Sequence, residues 1–244
     1  MKRLLPWAIL PVLCMGWMSC SHSGKEHSSL PDPRTLDKSV PEYKNPFHPS
    51  TYAHFVARKD YKKTYDIYKD DTLLKRTPKK SRKIFVCLNE QRGQYLVDGL
   101  VAMDFPLSSG VKAYPTKTGD YTVISKKEDH VSNLYGKMYD AEGKCINYNA
   151  ESTDPVPEGG RFDGSPMPYW QRLTNAGLGL HVGKVRRHPI SHGCVRLPRN
   201  VAEILYKQTS IGTPVTIRNT PLPVPEAQKA LSLIHISEPT RRRG

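Results

Sequence analysis

The stretch of the chain with the richest chemistry is HPISHGCVRLP, at residues 188–198. Histidine and cysteine are good zinc ligands, and a cysteine near a histidine also forms a nucleophile with its base. A third interpretation is a buried cysteine in a glycine turn between surface histidines. The candidate side chains are His188, His192 and Cys194 within this stretch and His181 seven residues before it.

The metal interpretation lacks the spacing of common zinc motifs. Neither a CxxC pair nor an HExxH pair occurs around His188–Cys194. A zinc-bound thiolate would also be unable to act as a free nucleophile. We therefore keep a zinc hydrolase, with activity sensitive to chelators, as an alternative and expect no metal.

A thiol nucleophile fits the same residues. Acyl transfer by cysteine needs a base within hydrogen-bond reach and backbone N–H donors for the oxyanion. Gly193 lets the backbone beside Cys194 turn its N–H groups toward a substrate. Strand alternation places His192 on the same side as Cys194, whereas a neighbouring strand would bring His181 to the thiol. Both histidines remain candidates for the base.

The N-terminus, MKRLLPWAILPVLCMGWMSC, has a basic start, a short apolar run and then small residues. This pattern predicts a secretory signal at residues 1–19. The sequence WMSC resembles a bacterial lipobox, which implies that Cys20 is lipidated and becomes the mature N-terminus. Ser21 after that cysteine resembles lipoproteins of the outer membrane. We expect a periplasmic protein, anchored by lipid to the outer membrane.

The formal net charge of the whole chain is +14. A basic protein favours nucleic acid, an anionic membrane or an acidic polymer. Export excludes nucleic acid as a partner and leaves an anionic polymer of the cell envelope. At the other end, residues 231–244 begin with LSLIHISEPTR, which resembles read-through of a sequencing-library adapter. We expect this segment to be foreign to the fold.

Five cysteines are present, and two of them, Cys14 and Cys20, belong to the predicted signal and lipidation site. The other three would lie in an oxidising compartment. If Cys87 pairs with Cys145, Cys194 is left as a free thiol. The sequence does not decide between that disulfide and two small buried apolar residues.

The chain divides by composition. Residues 20–82 predict a tether, rich in Ser, His and Pro up to about residue 55, and then a basic, Tyr-rich lead-in. Residues 83–219 predict the folded domain that carries the candidate site, and residues 220–230 predict a Pro-rich tail. Alternating apolar residues predict strands, with Asp98-Gly99 as a hairpin turn, and NVAEILYKQ at 200–208 predicts a helix. The expected fold is mostly β, a sandwich or barrel with one or two short helices.

The motif SHGCVR, with an upstream His-x-Gly, resembles the signature of YkuD-type L,D-transpeptidases. The segment SSGVKAYPTKTGDYTVISKKEDHVSNLYG resembles the first half of that domain. The segments MPYWQRLTNAGLGLHVG and PISHGCVRLP resemble its second half. The resemblance covers about residues 83–218 and implies a YkuD-like fold and peptidoglycan stem peptides as substrates.

The resemblance also implies site roles. Cys194 is the nucleophile, and His181 is the base, oriented by the carbonyl of Val182 or Gly183. The N–H groups of Gly193 and Cys194 are the expected oxyanion donors. Residues expected to bind substrate are Ser191, His192, Arg196, Met167, Tyr169 and Trp170. The role of the basic loop Lys184–His188, which separates His181 from Ser191, stays open.

The implied reaction releases D-Ala from a tetrapeptide stem through a thioester on Cys194 and then forms a 3→3 cross-link. It uses no metal or organic cofactor. Hydrolysis would make the protein an L,D-carboxypeptidase, and a lysine acceptor would make it a protein-anchoring enzyme. A rival of another class is a non-catalytic lipoprotein that binds peptidoglycan. Neither the acceptor nor the oligomeric state follows from the sequence.

Overall fold

A computed structural model describes residues 31–76 and 82–231. The helices are α1 (Tyr52–Ala57), α2 (Asp71–Lys75), α3 (Arg199–Gln208) and α4 (Glu226–Leu231). The strands are β1 (Tyr68–Lys69), β2 (Arg82–Cys87), β3 (Arg92–Val97), β4 (Leu100–Pro106), β5 (Gly119–Thr122), β6 (Ser125–Lys127), β7 (Val131–Tyr139), β8 (Cys145–Glu151), β9 (Arg161–Pro166), β10 (Trp170–Arg172), β11 (Gly179–Val182), β12 (Val195–Leu197) and β13 (Pro214–Arg218). The mostly-β prediction is confirmed, and α3 is the predicted helix.

The largest sheet has the strand order β1-β4-β3-β2-β13-β5. The two-residue turn at Asp98-Gly99 joins β3 to β4 as predicted, with Val97 paired to Leu100. Alternation along β2 turns Ile84 and Val86 into the core, as the sequence pattern indicates. β13 pairs with β2 in parallel, so the chain crosses over before its last strand.

A second sheet has the order β12-β11-β10-β6. One continuous core contains Phe105 of β4, Ile217 of β13, Leu180 of β11, Leu197 of β12 and Leu205 of α3. Because the inner faces of both sheets and the helix bury these side chains together, they hold β11 and β12 in a fixed position. These two strands carry the chemistry described below.

A third sheet, β8-β7-β9, was not predicted from the sequence. Its strands lack a regular alternation of apolar and polar residues, because much of the sheet is exposed. Leu134, Ile146 and Tyr148 are all at least 49% exposed. A strand that is largely exposed on both faces does not need alternating apolar and polar residues, so its sequence carries no such pattern to detect.

The segment before the main sheet is folded onto it, which corrects the expectation of a tether for residues 31–55. Phe55 and Tyr61 pack edge to face, with ring centroids 5.7 Å apart. The hydroxyls of Tyr52 and Tyr61 each donate to Asp104 Oδ2 of β4 at 2.8 Å. A few buried aromatic residues, spaced without periodicity, therefore attach this segment to the main sheet, although its composition resembles that of a linker.

Several predictions fall outside the described residues. These are the signal at residues 1–19, the lipidation of Cys20 and the adapter-like residues 232–244. Within the described ranges, no helix combines the length and apolarity needed to cross a bilayer. Cys87 and Cys145 are both free thiols, the first buried and the second partly exposed.

Candidate active site

Two neighbouring parallel strands place the predicted base beside the predicted nucleophile. β11 and β12 pair with His181 opposite Arg196. Cys194 comes two residues before Arg196, so backbone alternation puts both on the same side. His181, Cys194 and Arg196 all line one cavity. The neighbouring-strand arrangement, rather than the local His192–Cys194 pair, is the one that the fold forms.

The ring of His181 is held in one orientation. Its Nδ1 lies 2.7 Å from the carbonyl oxygen of Val182, one of the two expected partners. Because a carbonyl only accepts, Nδ1 carries the proton and Nε2 keeps a free lone pair. The residue is only 6% exposed. Burial lowers the pKa of His181 to about 4, so the ring is neutral at pH 7 and ready to accept a proton.

The thiol of Cys194 is protonated in this arrangement. Its Sγ donates to the carbonyl oxygen of Gly177 at 3.3 Å. Burial raises the pKa of Cys194, and a hydrogen bond from the Gly179 N–H and the charge of Arg196 oppose that rise. A neutral thiol therefore faces the same cavity as a neutral imidazole. Such a pair reacts by general-base catalysis, with the proton leaving sulfur as the new bond forms.

The cavity has a volume of about 780 Å³, within the usual range of small-molecule sites. The exposed third sheet forms one wall through Leu134, Tyr135 and Tyr148, and Trp170 contributes to the wall near His181. Its cationic lining side chains are Lys117, Arg172, Lys184 and Arg196. The cavity therefore suits an extended ligand that carries carboxylates.

His192 joins the nucleophile loop to the third sheet. Its ring stacks on Tyr135, with centroids 4.4 Å apart and planes at 17°. Tyr114 packs against the same ring at 4.8 Å and donates to Glu151 Oε1 of β8 at 3.2 Å. These contacts fix the wall against the loop that carries Cys194. His192 therefore lines the cavity as one member of an aromatic cluster with Tyr114 and Tyr135.

The two predicted oxyanion donors differ in the structure. The Gly193 N–H donates to Ser191 Oγ at 3.2 Å, so it is engaged within the loop. The Ser191 hydroxyl in turn donates to the carbonyl oxygen of Cys194 at 2.5 Å. Ser191 lines the cavity, but its hydroxyl shapes the loop. The Cys194 N–H is the better candidate for the oxyanion, which revises the expectation for Gly193.

The expected substrate wall is partly corrected. Trp170 and Met167 line the cavity, and the Trp170 ring lies 5.8 Å from that of His181. Tyr169 is not among the lining residues. It turns away because its φ is +56°, and its ring packs edge to face on Tyr206 of α3 at 5.6 Å. Backbone conformation, which composition does not reveal, decides this orientation.

The basic loop Lys184–His188 has divided roles. Lys184 is exposed at the cavity, whereas Arg187 turns inward. The guanidinium of Arg187 donates to the carbonyl oxygens of Thr64, at 2.8 Å, and Glu90, at 2.9 Å. Arg187 also has a φ of +54°, a strained conformation for a residue with a side chain. The loop between base and nucleophile is thereby attached to the folded lead-in segment.

Replacement of Arg187 by alanine is expected to lower the free energy of unfolding by about 1–3 kcal/mol, because the partly buried Glu90 carbonyl loses its charged donor and the Thr64 carbonyl keeps only Arg92. Lys184→Ala, in the same loop but exposed, is expected to change it by less than about 0.5 kcal/mol. Urea denaturation of both variants measures the difference. Equal stabilities for the two variants would contradict an anchoring role for Arg187.

Metal binding was the first alternative for these residues. Within residues 31–76 and 82–231, no group of three or more His, Cys, Asp or Glu side chains converges as a metal site would require. His181 directs Nδ1 to a carbonyl, and His192 stacks between two tyrosines. The contact of Nδ1 with the Val182 carbonyl leaves Nε2 of His181 as the basic nitrogen that a thiol–base pair needs.

Some residues of the site were not singled out from the sequence. His130 and Tyr135 line the cavity, Tyr114 packs against His192, and the buried hydroxyl of Thr116 lies behind the wall, against the Gly193 carbonyl. All four lie in the stretch that resembles the first half of the family's domain. The resemblance of that stretch to the family could have pointed to these residues. Only the tertiary structure shows which of its side chains lie near the loop that carries Cys194.

Comparison with known proteins identifies the family to which this sequence is similar. Residues 81–217 match the family model of YkuD, described as the L,D-transpeptidase catalytic domain. A curated relative, probable L,D-transpeptidase 3 of Mycobacterium tuberculosis, is 32% identical over 120 residues, which are 46% of this chain. The match spans 38% of the length of that relative.

Solved structures with similarity to this chain include an L,D-transpeptidase from Mycobacterium smegmatis, 21% identical with a TM-score of 0.44, covering 57% of this chain and 58% of that one. Another is the catalytic domain of the Enterococcus faecium L,D-transpeptidase, 27% identical with a TM-score of 0.41, covering 57% of this chain and 97% of that one. The family model spans more than half of the chain and includes both His181 and Cys194. The chain therefore belongs to the YkuD family of L,D-transpeptidase catalytic domains.

Proposed function

We propose that this protein is a cysteine-dependent L,D-transpeptidase that acts on the tetrapeptide stems of peptidoglycan. The observation that carries the proposal is the arrangement of His181 and Cys194 in one cavity. His181 is neutral with its Nδ1–H bound to the Val182 carbonyl, and the Cys194 thiol faces the same space. This is the pairing that acyl transfer to sulfur requires.

In the first half of the reaction, Cys194 Sγ attacks the carbonyl carbon at the L-centre of diaminopimelate. The thiol proton passes to His181 Nε2, and the Cys194 N–H donates to the oxyanion. The peptide C–N bond then breaks, and His181 returns the proton to the leaving amine. D-Ala departs, and the stem remains as a thioester on Cys194.

In the second half, a diaminopimelate side-chain amine attacks the thioester. His181 accepts a proton from that amine, the C–S bond breaks as the new amide forms, and His181 returns the proton to the sulfur of Cys194. The product is a 3→3 cross-link. Water as acceptor gives L,D-carboxypeptidase activity, and a protein lysine gives covalent anchoring. The cationic side chains of the cavity, with Arg196 beside the thiol, are positioned to hold the carboxylates of donor and acceptor.

The test is incubation of the protein with disaccharide tetrapeptide and analysis of the products by mass spectrometry. We expect D-Ala release and a dimeric product, and no D-Ala release by Cys194→Ala, because alanine has no nucleophile. Exposure to imipenem should add its mass to the wild type and not to the variant. No D-Ala release by the wild type, or full release by Cys194→Ala, would overturn the proposal. Binding of the tetrapeptide without reaction would favour the non-catalytic lipoprotein.

We also propose that the protein is exported and anchored to the outer membrane through lipid on Cys20. The support is the basic and apolar N-terminal pattern that ends in WMSC. Replacement of Cys20 by alanine is expected to move the protein into the soluble periplasmic fraction, since several acyl chains would be lost. Fractionation with immunoblotting measures this, and unchanged membrane retention would argue against lipidation.

A further inference from the structure

The loop that carries Cys194 is held at both ends by one extended segment, residues 108–111. Ser108 and Arg196 exchange backbone hydrogen bonds at 3.1 and 2.8 Å. The Val111 N–H donates to the Ser191 carbonyl at 2.9 Å. The segment then turns through Tyr114 and returns toward the loop at Thr116. The backbone around the thiol is thus built on the Ser-Ser-Gly stretch and the Pro-Thr stretch that follows it.

Thr116 closes this arrangement with its side chain. Its Oγ1 donates to the carbonyl oxygen of Gly193 at 2.6 Å. The hydroxyl oxygen of Thr116 also accepts a hydrogen bond from the Gly110 N–H at 2.8 Å. Thr116 is 6% exposed and lies behind the cavity wall, whereas its neighbours Pro115 and Lys117 line the cavity. The hydroxyl has both partners in the protein and does not reach the substrate space.

The segment at residues 108–111 approaches the loop that carries Cys194 so closely that only glycine fits at position 110. A Cβ on Gly110 would overlap the Tyr114 carbonyl oxygen and lie 2.9 Å from Gly193 Cα. Gly193 itself has a φ of +109°, which favours glycine. Because Gly193 lacks a side chain that would restrict its backbone, the hydrogen bond from Thr116 is what holds its carbonyl in this direction.

The Gly193 carbonyl and the Cys194 N–H belong to one peptide unit. That unit is planar and trans, so the two groups point in opposite directions. A hydrogen bond that fixes the carbonyl therefore also fixes the N–H. Since Ser191 Oγ already occupies the Gly193 N–H, the Cys194 N–H is the donor whose direction matters for an oxyanion.

We propose that Thr116 is a positioning residue for acyl transfer, whose hydroxyl holds the Gly193 carbonyl and so aims the Cys194 N–H at the oxyanion. This inference rests on the proposed function, because only a carbonyl acyl donor develops an oxyanion. Thr116 acts on the transition state through the peptide unit and makes no contact with substrate. A loss of its hydroxyl should therefore slow acylation without weakening substrate binding.

The experiment compares two reactions of Cys194 in the full chain. Acylation, by tetrapeptide or imipenem, passes through an oxyanion, whereas alkylation by iodoacetamide displaces iodide at carbon and forms none. Thr116→Val is expected to lower the acylation rate about 10-fold or more, but by less than the roughly 10²- to 10³-fold loss that follows removal of an oxyanion donor itself, because the Cys194 N–H is still present. KM for the tetrapeptide and the alkylation rate should stay at wild-type values.

Two controls are present in the same loop. Thr116→Ser retains the hydroxyl and should restore acylation. Thr118→Val makes the identical substitution at an exposed position two residues away and should react as the wild type does. If Thr116→Val fails to fold, Thr116→Ala removes the same hydroxyl with less steric demand and takes its place.

The possible results distinguish a failure of the role of Thr116 from a failure of the proposed function. Acylation of Thr116→Val at the wild-type rate, or an equal loss of acylation and alkylation, would overturn the positioning role. A wild type that reacts with imipenem but releases no D-Ala would show that the proposed substrate is wrong, and imipenem acylation would still test Thr116. A wild type inert to both would overturn the proposed function and this inference with it.

Discussion

Replacement of His181 by asparagine is expected to reduce D-Ala release about 10²- to 10⁴-fold, the usual contribution of general-base catalysis. Asparagine preserves a donor near the Val182 carbonyl but has no basic nitrogen to receive the Cys194 proton. In the wild type, burial keeps the pKa of His181 at about 4 and raises that of Cys194. Neither group is ionised at neutral pH, so the proposed reaction requires proton transfer from the Cys194 thiol to His181.

The pH profile distinguishes a base from a structural residue. Wild-type kcat/KM should fall only as the pH drops toward 4, because below that value His181 is protonated in the folded protein and cannot accept a proton. In His181→Asn the rate should instead rise with pH as Cys194 ionises directly, so the deficit narrows in alkali. Stopped assays across this range measure both profiles. An acid limb at the ordinary histidine value of about 6.5 would contradict the assignment.

Replacement of Asp104 by asparagine is expected to lower the free energy of unfolding by about 3–5 kcal/mol. Asp104 and Arg92 are both fully buried, with Arg92 Nε 2.6 Å from Asp104 Oδ1. The carboxylate also accepts from Tyr52 and Tyr61. The substitution leaves the Arg92 guanidinium charged in the interior with no counterion. It also exchanges an acceptor for a donor at the point where the lead-in segment is attached.

Urea denaturation measures this loss, and limited proteolysis should show faster cleavage within residues 31–76. The matched control is Asp163→Asn, which removes one partner of the exposed Arg161–Asp163 pair at 3.3 Å. Exposed pairs contribute about 0–1 kcal/mol, so this variant should remain close to the wild type. A loss of similar size in both variants would show that burial of the Arg92–Asp104 pair is not what matters.

The segment before the main sheet, residues 31–76, illustrates why composition misleads about packing. Its Pro, Ser and Lys content is typical of a linker, yet three aromatic side chains, Tyr52, Phe55 and Tyr61, are buried against the sheet. The buried Arg92 guanidinium donates to the carbonyls of Thr64 and Asp66, which fixes the segment further. A few deeply buried side chains attach this segment to the sheet. It has no periodic apolar face, which is the pattern that sequence analysis detects.

What the sequence by itself determined was local chemistry. The strands around Ile84 and Val86, the helix at 200–208 and the identity of Cys194 as candidate nucleophile all depend on residue type and short spacing. His181 was assigned through resemblance, because thirteen residues along the chain do not define a distance in space. Only the pairing of β11 with β12 brings its ring into the cavity that the thiol also lines.

Orientation was decided by the tertiary structure alone. Tyr169 leaves the predicted substrate wall because of its backbone φ, and Arg187 turns from a basic surface loop to buried carbonyls. Thr116 reaches Gly193 across 77 positions of sequence. Such contacts depend on how sheets pack and where loops return, and these are properties of the whole core rather than of any window of residues.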